Sequence, residues 1–117
     1  MALRFEIVNE KDILLVKITG RIISDKMLNE NLELIQQNLN SNTFQAVVCD
    51  CSKLEYINSS GLNLFVRMLT RSRNHSIDCL LIGLQPAVAK LFKISKLDEV
   101  FCVLSSMDEV KQKLIDK

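Results

Sequence analysis

Tryptophan is absent from this chain of 117 residues, and proline and histidine occur once each and glycine three times. So few glycines and prolines exclude a turn-rich or low-complexity chain and leave room for long regular elements. Charge of one sign is also missing: 15 Lys+Arg face 14 Asp+Glu, for a net +1. That lacks the basic excess needed to hold a nucleic-acid backbone, so no direct nucleic-acid partner is expected. No apolar run reaches the roughly 18–20 residues of a membrane span, because Lys, Asp, Glu, Asn or Arg interrupts every hydrophobic stretch. The N-terminal MALRFEIVNEKD has no apolar centre followed by a small-residue cleavage site, which predicts a cytoplasmic location.

Chemistry-bearing sets are scarce as well. Cys49, Cys51, Cys79 and Cys102 form no C-x-x-C pair and lie within apolar runs, so reduced, buried thiols are expected. No histidine or second cysteine pair completes a zinc set with Cys49 and Cys51, so no metal and no cofactor are expected. There is no G-x-S-x-G, Walker loop or G-x-G-x-x-G. The predicted reading is not an enzyme.

What is present is enough apolar material, 48% of residues, to fill one core, and residues 1–117 read as a single domain. Leu3, Phe5 and Ile7 alternate with Arg4 and Glu6, and ILLVKIT follows at 13–19, which predicts a β-hairpin. Leu28, Leu32, Ile35 and Leu39 fall at helical spacing within 24–40. QAVVCDC at 45–51 and IDCLLIGL at 77–84 are the near-continuous apolar runs of strands buried on both faces. Between them Leu62, Phe65, Val66 and Leu69 predict a second helix. Pro86 suits the first position of a third, a strand follows at 100–104, and Ser106 with Glu109 forms a capping box for a fourth. The order β-β-α-β-α-β-α-β-α predicts an α/β fold with a mixed, mostly parallel five-stranded sheet and about four helices.

Sites in such sheets gather where strands end and helices begin, which directs attention to D50-C-S-K-L-E-Y-I-N-S-S-G-L62. Asn58, Ser59 and Ser60 are all helix N-cap types, and Gly61 removes a side chain that would crowd the turn. Two readings stand side by side: one of these residues simply caps the helix, or a serine hydroxyl at the helix start accepts a phosphate. At about 100° per residue, Leu62, Phe65, Val66 and Leu69 span one predicted inward arc, and Ser60, Gly61, Leu64 and Met68 lie opposite. Leu64 and Met68 then either form an outward docking patch beside the serine or are covered by neighbouring structure. Asp50 has two readings too, as an organiser of the loop through backbone N–H groups near Ser52 or Ser60, or as a participant in phosphoryl transfer. His75 lies about 22 Å from Ser60 if one helix joins them, too far to serve as its base.

The D-C-S…I-N-S-S-G-L-N-L-F stretch resembles the signature of the STAS domain, specifically of the bacterial anti-sigma factor antagonists. The likeness extends to Gly20, Asp50, Ser52 and the late A-K-L-F-K-I-S-K-L-D-E-V-F segment. It implies the STAS fold and a protein switch in which the serine before the glycine, here Ser60, is phosphorylated. The kinase is an anti-sigma factor of the histidine-kinase-like serine kinase type. The unphosphorylated form binds and sequesters that partner and frees a sigma factor for transcription; a PP2C-type phosphatase resets it. Partner contacts are expected at Asn58, Ser59, Gly61, Leu64 and Met68, with Asp50 and Ser52 organising the loop. Asn58 and Ile23 stand where the family commonly carries acidic residues. The rival expectations are a constitutive scaffold or accessory subunit of a lipid-transport or stress-signalling complex, and a small-ligand or nucleotide sensor.

Overall fold

A computed structural model describes residues 3–22 and 25–115. Ile23 and Ser24 lie outside the described residues. The chain runs β1 (Arg4–Glu10), β2 (Ile13–Ile22), α1 (Asp25–Ser41), β3 (Ala46–Ile57), α2 (Ser59–Asn74), β4 (Asp78–Ile82), α3 (Pro86–Ile94), a 3₁₀ turn (Leu97–Glu99), β5 (Cys102–Leu104) and α4 (Met107–Ile115). The strands stand in the sheet in chain order. β1 and β2 form the antiparallel hairpin, from Arg4 opposite Thr19 to Glu10 opposite Ile13. The pairs β2–β3, β3–β4 and β4–β5 are parallel. The α/β order and mixed sheet read from the sequence are those observed.

Helices cover the two faces unequally. On one face Val47, Cys49 and Cys51 of β3 pack with Leu28, Leu32, Ile35 and Leu39 of α1, with Leu64, Phe65 and Met68 of α2 and with Val88 and Phe92 of α3. Phe65, Phe92 and Phe101 meet edge to face, with centroids 5.3–6.5 Å apart, in the arrangement their ring quadrupoles favour. The opposite face, built on Ile13, Leu15, Ala46, Val48, Leu80 and Ile82, is covered by α4 through Val110, Met107 and Leu114. Alternate residues of β3 therefore enter two separate cores, which is why its sequence shows no polar alternation at first.

The strand is longer than the apolar run suggests. It continues from Ser52 to Ile57, still paired with β2 out to Ile22 opposite Ile57. Register shifts between Lys17 and Thr19 and between Gly20 and Arg21 interrupt the alternation, so Leu54 and Ile57 are buried at a spacing of three rather than two. Gly20, at one of these shifts, has φ +99, a backbone setting that glycine adopts without steric cost. At the chain's far end the capping box forms in altered form. Glu109 N–H donates to Ser106 Oγ at 3.4 Å, while the Glu109 carboxylate accepts from the N–H and hydroxyl of Ser105.

Candidate functional site

Strand β3 delivers the chain to the site and α2 carries it away. Asn58 lies between them in an extended conformation, and its Oδ1 accepts the Gly61 N–H at 3.0 Å. Its carbonyl accepts the Leu62 N–H at 3.1 Å, the first helical bond. Of the three cap-type residues, Asn58 takes the cap. Neither serine hydroxyl is consumed in it. Ser59 is exposed and Ser60 half-buried, while Gly61 is buried in the first turn.

The helix phase corrects the expectation for its two apolar partners. Leu64 and Met68 are 2% and 0% exposed, and they join the core facing α1. They do share an arc with Ser60, but that arc turns toward α1 instead of solvent. Met68 Sδ accepts from the Cys49 thiol at 3.8 Å, which places it over the sheet. Conversely, Val66 is 36% exposed and Leu62 only half-buried, so the supposed inward arc is rotated by about a quarter turn. The outward face at the start of α2 is made by Ser59, Asn63, Val66 and Arg67. Leu64 and Met68 thus hold α2 in place and cannot form a docking patch.

Ser60 opens onto a cleft between α1 and α2 of about 170 Å³, bordered by Leu28, Asn29, Asn63, Leu64 and Arg67. Arg67 Nη1 donates to Asn29 Oδ1 at 3.0 Å, and one turn further along α2 Arg71 Nη1 donates to Gln36 Oε1 at 2.8 Å. Two arginines thus tie α2 to α1 along one flank. The first turn of α2 carries no acidic residue and its last turn carries Arg71 and Arg73. His75 closes the far end of the helix, with its ring beside Gln36.

Asp50 bonds within its own strand. Its Oδ1 accepts from both the Ser52 N–H (3.0 Å) and the Ser52 hydroxyl (2.7 Å), a side-chain turn within β3. Gln85, ahead of α3, donates its side-chain N–H to the Ser52 carbonyl at 2.7 Å. Gly83 packs against the same residue, and a Cβ built there would lie 3.0 Å from Ser52 Cβ. Asp50 and Ser52 thereby anchor β3 to the start of α3. Tyr56, one residue before Ile57, is partly exposed, and the Arg21 guanidinium lies 4.7 Å from its ring centroid.

Asn29, Asn63, Arg67 and Gln85 were not singled out from the sequence. Arg67 carried a usable signal, since it follows Ser60 by two turns on one side of α2. Asn29 and Gln85 come from other elements and meet the site only through tertiary packing. Burial pushes the Cys51 thiol pKa up, and the Cys79 hydrogen bond together with burial pushes that of Cys49 up, so both remain protonated. Among the described residues, no group of three His, Cys, Asp or Glu side chains is placed to hold a metal ion. No described helix is long and apolar enough to cross a membrane.

Comparison with known proteins places this geometry. The family model for the STAS domain matches residues 4–113. A serine-to-glutamate variant of RsbS from Moorella thermoacetica superposes with a TM-score of 0.82 at 20% identity, over 97% of this chain and 96% of that one. The anti-sigma factor antagonist SpoIIAA in its unphosphorylated form gives 0.77 at 15% identity, over 95% of each chain. A chain from a structure of the stressosome, described as a signal integration and transduction hub, gives 0.76 at 19%, over 95% and 96%.

Proposed function

The chain belongs to the STAS domain family, and on that premise we propose that it is an anti-sigma factor antagonist switched at Ser60. Its partner is an anti-sigma factor that is also a serine kinase. The observation that carries the reading is a half-buried serine hydroxyl, left free by the Asn58 cap, at the edge of an outward face made of Ser59, Asn63, Val66 and Arg67. Unphosphorylated, that face docks the partner and withholds it from a sigma factor. In the reverse step, Ser60 Oγ bonds to the γ-phosphorus of ATP held by the kinase. The bond to the ADP leaving oxygen breaks, and the hydroxyl proton passes to a base on the kinase. The present chain supplies only the acceptor and is not an enzyme.

A phosphate adds about −1.5 to −2 charges at the edge of the docking face. Docking must then desolvate that charge, and each 1.4 kcal/mol of penalty is about tenfold in affinity. A PP2C-type phosphatase restores the hydroxyl. The proposed location is the cytoplasm. The test measures affinity for the cognate kinase by calorimetry with Ser60→Ala and Ser60→Asp, beside mass spectrometry of the parent after incubation with kinase and ATP. The expected result is a phosphate on Ser60 and at least tenfold weaker binding by Ser60→Asp than by Ser60→Ala. Equal affinities refute the switch. The fold likeness to a stressosome component supports a second reading, a constitutive scaffold, under which Ser60 stays unmodified and both variants bind alike.

A further inference from the structure

We infer that Arg67 is the internal receiver of the phosphate, exchanging its bond to Asn29 for one to phosphorylated Ser60. This rests on the reading of Ser60 as the phosphate acceptor and adds what the phosphate does within the chain. Ser60 and Arg67 border one cleft, with Asn29 of α1 opposite. Two turns separate them along α2, about 10.5 Å of rise, at azimuths about 20° apart. Helical side chains lean toward the N-terminus, so the long arginine can swing back along the cleft toward the turn that carries Ser60.

The guanidinium now engages a neutral amide oxygen, Asn29 Oδ1, at 3.0 Å. A guanidinium fork matches phosphate geometry with paired donors and meets a full opposite charge there, whereas Asn29 offers a single uncharged oxygen. A dianion in the same cleft therefore displaces Asn29 as the acceptor. Arg67 is exposed, so the exchange needs only a rotamer change, with no repacking of Leu64 or Met68 beneath it. Phosphorylation then has two effects: it adds charge to the docking face, and it removes the Arg67–Asn29 bond between α2 and α1 while the apolar contacts of the two helices persist. The modification is thereby conveyed to a second helix.

The experiment installs phosphoserine at position 60 during translation, so that no kinase is needed, and follows the phosphate by ³¹P NMR against pH. A nearby cation favours the dianion and lowers the second phosphate pKa from its usual value of about 6. The parent is expected to titrate about one pH unit or more below Arg67→Gln, with Arg67→Lys between them. Asn29→Ala, which removes only the competing acceptor, is expected to titrate at or below the parent. Amide spectra confirm that each variant is folded. Coincident titrations of the parent and Arg67→Gln overturn the inference, as does a raised value in Asn29→Ala. Since the phosphate is installed without a kinase, an unmodified Ser60 in the kinase assay would sink the switch and leave this result standing.

Discussion

Truncating Met68 tests the orientation of α2 on which the docking face depends. Met68 is fully buried, with its sulfur against the Cys49 thiol. Met68→Ala removes three heavy atoms, worth about 2.4 kcal/mol of transfer free energy at about 0.8 kcal/mol each. The cavity left behind raises the cost, and buried methionine truncations fall at about 2–5 kcal/mol. About 3 kcal/mol is a large share of the 5–15 kcal/mol that stabilises an ordinary domain. At about 4 °C per kcal/mol for this chain length, the melting midpoint should fall by about 12 °C. Leu64→Ala, at 2% exposure, belongs in the same range. Val66→Ala, on the open face, should change stability by no more than about 1 kcal/mol, while Val66→Lys should weaken partner binding. Circular dichroism melts and calorimetric titrations well below the melt read the two effects separately. If Met68→Ala melted within about 2 °C of the parent and still lost its partner, the arc of Ser60, Leu64 and Met68 would face outward after all, and the packing described above would be wrong.

Two further outcomes follow from the site and its supports. Asn58→Ala deletes the acceptor of the Gly61 N–H and should cost about 1 kcal/mol in urea unfolding, whereas Asn58→Asp keeps that acceptor and should cost nothing measurable. Equal losses would show that the cap does not hold α2. Cys49 and Cys51 are held protonated when folded, above the ordinary thiol value of 9.0, so their contribution is fully present below that value and is lost as pH rises past it. The slope should reach about 2.7 kcal/mol per pH unit for two thiols and half that in Cys51→Ala, read as urea midpoints from pH 8 to 11. An unchanged slope in Cys51→Ala would refute the assignment.

Much of this architecture was legible because separate signals agreed. Leu28, Leu32, Ile35 and Leu39 are buried as their spacing predicts, and the two apolar runs became strands whose side chains enter two cores. The S-S-G-L turn falls at a strand-to-helix junction, since β3 ends at Ile57, Asn58 caps and Ser59 begins α2. The phase of α2 was not legible. Leu62, Leu64, Phe65, Val66, Met68 and Leu69 cover more than half of the helix circumference, so two overlapping stripes fit the sequence equally well. The choice is made by α1, whose apolar row claims Leu64 and Met68, and no local pattern encodes it. The extension of β3 was hidden for a related reason: its register shifts disguise Leu54 and Ile57 behind exposed Lys53, Glu55 and Tyr56.

The strand that leads into Ser60 lies in the middle of five, bonded on both sides and covered on both faces over Ala46–Cys49. Such a segment is among the last to open, and the chain reaches Ser60 from it through Ser52–Ile57, which stays bonded to β2, and through the Asn58 cap. Under the proposed function, a kinase meets a hydroxyl held in a capped helical turn, and little entropy is lost in presenting it at the moment of encounter.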